Sequence, residues 1–295
     1  VSAPVLDKRL VRLRFERAAA GYDDASALMR EVGSRMAERL DLVKLQPARV
    51  LDAGSGTGRL ARELAARYRE AAVVELDLSL AMLRASSRRG GWGRRLLETV
   101  RPARYRICGD MEQIPLASAS VELACSNLAL SWVARPQAAL QELHRVLARG
   151  GLLMFTALGP DTLSELRAAL GPAGARAIHP FADMHDIGDL LVRSGFADPV
   201  MDAERLTLTY PSLTALLSEL RASGGRTALA GRPAGLRGRA WRARLEERYG
   251  AFQVQGRWPL TCEVVYGHAW KPEGEPRLAS DGRAVVRFER PARGH

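Results

Sequence analysis

Asp52 closes the short apolar run Val50-Leu51 and stands directly before Ala53-Gly54-Ser55-Gly56-Thr57-Gly58. A carboxylate in front of a glycine turn suits a cationic or amine-bearing ligand better than a pyrophosphate. The glycines let the chain turn tightly after a strand, and they let a ligand approach the backbone without meeting a Cβ. A dinucleotide fingerprint asks for G-x-G-x-x-G, and Arg59 occupies the place of its last glycine. Taken alone the turn is weak evidence, so a nucleotide oxidoreductase and a merely structural turn stay open beside it.

Three further positions sharpen the reading. Asp77 ends the run Val73-Val74-Glu75-Leu76-Asp77, where a carboxylate can accept from both hydroxyls of a ribose. Glu75 falls on the same side of that strand, two residues earlier. Asp110 ends a third strand in GDMEQIPL; its carboxylate can accept from an adenine amino group while Met111 packs on the ring. A local turn is the alternative for Asp110. Ser126 and Asn127 follow a fourth strand and can line the crevice where open parallel sheets bind ligands. Together these acids and the turn of Gly54, Ser55, Gly56 and Gly58 point to S-adenosyl-L-methionine as cosubstrate.

His185 lies in DMHDIGD between Asp183 and Asp186, which could orient an imidazole on the substrate side or gather a metal. Asp183 equally suits a helix N-cap and Asp186 its first turn. His144, His179 and His268 have no ligand spacing, and no metal site is expected. Cys108, Cys125 and Cys262 are far apart and make neither a zinc pattern nor a disulfide framework. Buried thiols in a reducing cytoplasm are the simplest reading.

These residues need elements to hold them. Leu28, Val32, Met36 and Leu40 recur at steps of four and predict a helix within 25–44 with one buried stripe. Strands are expected at 50–52, 73–77, 105–110, 121–127, 152–158, 205–210 and 263–270. Helices are expected at 59–68, after a Ser79 cap, from Pro136 through Leu147 to a Gly150-Gly151 turn, and at 184–194 before a Gly195 C-cap. Alternation of this kind means an α/β fold with a mainly parallel sheet. The rhythm breaks after residue 210, where two helices precede the last strand. An insertion there, at 211–258, is a natural place for substrate recognition. Residues 273–295 read as a flexible tail.

The chain has 295 residues and a net charge of +11, almost all of the basic excess being arginine. Seven arginines stand against one glutamate in 88–106, and eight against two in 221–249. Both stretches favour an anionic partner, although many of the arginines, Arg237 and Arg239 among them, are ordinary solvated charge. No apolar run is long enough to cross a bilayer and no secretory signal is legible, so a cytoplasmic protein without membrane attachment is expected. Nucleic acid ranks lower as a partner, because no zinc or base-reading module is evident.

Through LDAGSGTG, ELDLSLAML, GDMEQIPL and ELHRVLARGGLLMF the chain resembles the class I S-adenosylmethionine-dependent methyltransferases. FERAAAGYDDASALMREV, SNLALSWV, GLLMFTALGPDTLSELR, FADMHDIGDLLVRSGFADPVMD and PLTCEVVYGHAWKP, spread over about residues 10–272, narrow the likeness to the malonyl-acyl-carrier-protein O-methyltransferases of biotin synthesis. The resemblance implies a Rossmann-like, seven-stranded, mostly parallel sheet with helices on both faces and a cap inserted before the last strand. It implies a helical lid over 1–45, a methyltransferase domain over 46–272, and an acyl-carrier protein bearing a malonyl group as partner. Asp52 and the Gly54–Gly58 turn match the family's methionine-portion site, Asp77 its ribose acid and Asp110 its adenine-side acid. Phe15 and Tyr22 lie in the lid segment; Tyr22 would orient substrate or close the lid, or simply pack at a helix start. Two departures stand out: Ser55 replaces a frequent cysteine, and Glu122 the usual aspartate. Proteins of the mitochondrial complex I assembly group share parts of these motifs and resemble arginine hydroxylases, so a hydroxylase, an assembly factor and a methyltransferase of RNA or another small molecule remain alternatives.

Overall fold

The computed structural model describes residues 6–88, 104–175, 178–225, 228–229 and 238–274. Seven strands form one sheet in the order β3-β2-β1-β4-β5-β7-β6. They are β1 Arg49–Ala53, β2 Ala72–Asp77, β3 Arg104–Cys108, β4 Val121–Asn127, β5 Leu147–Leu158, β6 Ala197–Tyr210 and β7 Trp258–Trp270. β1 to β5 pair in parallel, and β7 runs antiparallel to both β5 and β6.

The described helices are α1 Lys8–Ala18, α2 Ala27–Arg39, α3 Arg59–Arg67, α4 Leu80–Arg88, α5 Pro136–Val146, α6 Ser164–Ala175, α7 Met184–Arg193, α8 Leu213–Ala222 and α9 Arg239–Gly250. Period-two alternation sorts the central strands onto two cores. Leu51, Ala124, Leu153 and Phe155 pack with Leu140 and Leu143 of α5 and Leu191 of α7. Their neighbours Val50, Leu123, Leu152 and Met154 pack with Val32 and Met36 of α2 and Leu64 of α3. Both faces are therefore covered, and the strands read as nearly continuous apolar runs. A third core joins α8 and α9 to the ends of β6 and β7 through Leu213, Leu216, Leu245, Tyr249, Trp258 and Leu260. The tandem α8–α9 thus sits where the insertion was expected, between the sixth and seventh strands.

The N-terminal segment is tied down at several points. Asp7 caps α1 by accepting from the Arg9 and Leu10 amides, and its own amide donates to Ala228. α1 then packs along α4.

Some expectations change. Cys108 is exposed, whereas Cys125 and Cys262 are buried. β3 is an edge strand in which each of the five residues is exposed or half-buried, so an apolar run does not guarantee a buried thiol there. β6 and β7 are much longer than 205–210 and 263–270, because the antiparallel pairing of Val200–Tyr210 with Trp258–His268 continues past both expected starts. Gly150-Gly151 falls inside β5 as an irregularity instead of preceding it. Ser79 does cap α4, its hydroxyl accepting from the Met82 amide, and Gly195 follows α7 with φ +94°. Most of the arginine stretch 88–106, part of 221–249 including Arg237, and nearly all of the tail from 273 lie outside the described residues.

Candidate functional site

The chain leaves β1 toward β2 and β3 on one side, then returns to place β4 on the other. Strand order reverses between β1 and β4, and a crevice opens at their carboxyl ends. A cleft occupies it, walled by Tyr22, Asp77, Asp110, Met111 and Trp132. A smaller hollow continues it past the glycine turn to Asp52, and Tyr22, Met29, Gly54 and Asn127 line both spaces.

The glycine turn spends its amides internally. Gly54 and Ser55 both donate to the Leu76 carbonyl, at 2.8 and 3.0 Å, and Gly56 donates to Asp77 Oδ2 at 2.8 Å. Gly58 donates to Ser55 and begins α3 in a left-handed conformation. A phosphate-cradling loop aims such amides at its ligand; this one aims them at its own framework. Gly54 is obligatory for a second reason. Its φ is +80°, and an added Cβ would lie 2.2 Å from the Ala129 Cβ.

What the turn offers instead is buried polarity. Asp52 is almost fully buried; it accepts from the Ala61 amide, while its Oδ2 has no partner among the described residues. Burial pushes its carboxyl well above the ordinary range, and the nearby carboxylates Glu75 and Asp77 add to the effect. The Ser55 hydroxyl beside it is also buried without a partner. An orphan carboxylate oxygen and an orphan hydroxyl on one small hollow fit a ligand that brings a cation and further polar groups.

Asp77 and Glu75, equivalent by strand parity, have different partners. Glu75 is fully buried and bonds Ser86 and Arg104. Asp77 lines the cleft, where it accepts from Gly56 and, at 2.7 Å, from Ser79. Burial pushes its carboxyl up to about 6 despite those two amides. Two acceptor oxygens on the cleft wall are available to hydroxyl donors.

Across the cleft, Asp110 accepts from Lys8 Nζ at 2.6 Å and Met111 forms part of the wall. Lys8 also pairs with Glu112, 2.5 Å away, and Glu112 accepts from the Ala134 and Arg135 amides and the Arg135 guanidinium. Burial alone would lower the Lys8 ammonium, but these two carboxylates outweigh it and hold its pKa above the ordinary value. Sequence reasoning missed Lys8 and Glu112. Glu112 was visible only as one letter of GDMEQIPL, and nothing local joins it to a lysine more than a hundred residues away.

Asn127 reaches the cleft, yet its amide is engaged: Nδ2 donates to the Met29 carbonyl and Oδ1 accepts from Thr156. It holds α2 against the end of β4. The next residue, Leu128, lines the cleft with φ +56°, a strained conformation for a branched side chain that its amide bonds to Thr156 maintain. Trp132 lines the cleft with Phe15 edge-on to it at 5.6 Å and His179 stacked on it.

Tyr22 closes the cleft near Asp77. Burial, with the Asp77 charge, pushes its phenol far up, so it stays protonated. The turn after α1 is anchored there, since Thr57 donates to the Asp23 carboxylate. His185 is not brought to the cleft. It sits at the start of α7 with its side chain 87% exposed, bonded to Asp183, which also caps the helix through the His185 amide. Among the described residues no cluster of metal-ligating side chains occurs and no helix is long and apolar enough to cross a membrane.

Known proteins resemble this chain over most of its length. A methyltransferase domain family matches residues 51–155. The malonyl-[acyl-carrier protein] O-methyltransferase of Laribacter hongkongensis is 54% identical over 96% of this chain and 96% of its own length. That of Gallionella capsiferriformans is 50% identical over 96% and 97%. The crystal structure of the YcgJ protein from a Bacillus species superposes with a TM-score of 0.57 at 13% identity, covering 81% of this chain and 98% of that one, which bears on the fold alone.

Proposed function

We propose the reaction from one premise: the chain belongs to the malonyl-[acyl-carrier protein] O-methyltransferase family, within the S-adenosylmethionine-dependent methyltransferases. It transfers a methyl group from S-adenosyl-L-methionine to the free carboxylate of a malonyl thioester carried on acyl-carrier protein. The products are the malonyl methyl ester and S-adenosyl-L-homocysteine, and the step belongs to early biotin synthesis. The observation that carries the reading at the site is Asp52, a buried carboxylate with an unpartnered oxygen at the end of the cleft, which suits an aminoacyl cation and not a pyrophosphate.

In this reading Asp52, Ser55 and the turn through Gly54, Gly56 and Gly58 hold the methionine portion. Asp77 accepts from the ribose hydroxyls. Asp110 and Met111 hold the adenine, with Asn127 as wall. When bound, the cosubstrate supplies an electrophilic methyl group on a positively charged sulfur.

The acceptor asks little of side chains. A carboxyl group with an ordinary pKa near about 4 is ionised at neutral pH, so no general base is required. The protein's work is alignment and exclusion of water. Phe15, Tyr22 and Trp132 supply an aromatic wall on the N-terminal side of the cleft. Tyr22, held neutral by burial, can donate to an anionic oxygen but cannot take a proton from it. Residues 1–45 act as the lid and 211–258 as the substrate-binding insertion over a domain spanning 46–272.

The test is transfer of labelled methyl to malonyl-acyl-carrier protein, with acetyl-carrier and malonyl-coenzyme A in parallel. Label on the malonyl carrier alone, released by ester hydrolysis, is the expected result. No label from protein that binds the cosubstrate would overturn the assignment and turn the search to RNA, arginine-containing proteins and other small acceptors.

A further inference from the structure

α1 separates two surfaces. Lys8, Val11 and Phe15 line the cleft, while Leu10, Leu13, Arg14 and Arg17 line a groove on the other side of the same helix. The opposite bank of that groove is the end of α8, with Arg221, Ala222 and Gly224. Among the described residues three arginines border the groove and no acidic residue does. Its apolar part includes Leu10 and Leu13, and Leu13 is 39% exposed. Among the described residues Arg17 and Arg221 are exposed and take part in no ion pair.

The groove and the cleft are separated by a single layer of side chain. Gly224 faces the groove, and a Cβ built on it would lie 2.9 Å from the ring of Phe15, which faces the cleft. A partner seated on the groove would be next to the wall of the reaction site, while remaining outside it.

We propose that this groove docks the carrier protein that brings the malonyl group, through an acidic helix whose apolar side rests on Leu10 and Leu13 while its carboxylates meet Arg14, Arg17 and Arg221. The inference rests on the reaction proposed above. Opposite charge is what the groove selects, and apolar contact is what fixes the partner's orientation. The anchors come from both the N-terminal segment and the insertion before β7, so a docked partner bridges the two parts. Arg14 and Arg17, set on the helix that walls the cleft, would also report an occupied groove directly to Phe15.

The experiment compares two acceptors: malonyl-acyl-carrier protein, and the malonyl thioester of N-acetylcysteamine, which has no carrier. Variants R17E, R221E and the pair are measured beside R193E, a charge reversal at the exposed end of α7, outside both the lid and the insertion. The pair is expected to raise KM for the carrier about tenfold at low salt, with kcat for the small thioester within about twofold of the parent. R193E should leave both unchanged, and salt should weaken the parent toward the carrier more than it weakens the pair. Equal activity of pair and parent on the carrier overturns the docking surface while the reaction stands. A parallel loss on both acceptors also overturns it, since the arginines would then serve the fold or the chemistry. Competition by transfer RNA, with none by malonyl-free carrier, assigns the groove to nucleic acid. A parent that methylates neither acceptor overturns the reaction and the docking surface together.

Discussion

Lys8 Nζ lies 2.6 Å from Asp110 Oδ2, joining the first turn of α1 to the turn after β3 across the mouth of the cleft. The pair couples the proposed lid to the proposed adenine acid. Both side chains are about one-third exposed, so the bond is worth at most about 1 kcal/mol. Lys8→Met is accordingly expected to raise the cosubstrate dissociation constant about fivefold by titration calorimetry, through a looser α1. Tighter binding would instead identify Lys8 as a competitor for Asp110 and overturn the coupling.

The Asp77 carboxyl, pushed up to about 6 by burial, predicts a pH dependence. Its ionised form has two acceptor oxygens for ribose hydroxyls, and protonation converts one of them into a donor. Affinity for the cosubstrate should thus be full above that value and fall as pH drops through it, by about tenfold between pH 7 and pH 5. Asp77→Asn should bind weakly at pH 7 and show no such slope. A slope that persists in the variant would place the titrating group elsewhere, with Asp52 the next candidate.

Gly54→Ala combines a left-handed backbone with a collision against Ala129. A loss of at least about 2 kcal/mol of unfolding free energy is expected, together with loss of cosubstrate binding. Adding Ala129→Gly should recover part of that stability, because it removes the collision and leaves the backbone strain. Full recovery in the double variant would show that φ +80° costs nothing at this position.

His185→Ala should leave kcat/KM within about twofold of the parent, since the imidazole stands in solvent away from the cleft. Asp183→Ala removes the cap of α7 and should lower the melting temperature without changing kinetics. A kinetic defect confined to His185→Ala would restore a substrate-side role for that residue.

Local chemistry made the centre of this molecule readable. Asp52, the glycine turn and Asp77 are set by strand ends and a turn that only certain residues can make, so their places follow from short stretches of chain. The sorting of Leu51, Ala124 and Phe155 from Val50, Leu123 and Met154 is plain strand parity. What escaped depends on neighbours distant in sequence. Parity could not tell Glu75 from Asp77, because their difference is made by Arg104 and Ser86. Cys108 looked buried because strand order, which puts β3 at the edge, is not written in β3 itself. The Lys8 pairs were illegible for the same reason, and so was the engagement of the Asn127 amide by Met29 and Thr156.

The position of β7 has a consequence for how the protein is made. Trp258–Trp270 lies between β5 and β6, although it follows both in sequence. On the ribosome, β5 and β6 emerge first and have no register with each other, so their facing backbone groups wait unpaired while α8 and α9 are synthesised. The first four-strand block, β3-β2-β1-β4, can form during translation together with β5, whereas the antiparallel end of the sheet assembles only once β7 is released and threads into the gap. A nascent chain paused after α9 presents two open strand edges at once, and this is the species most prone to mispair with another copy or to be held by a chaperone.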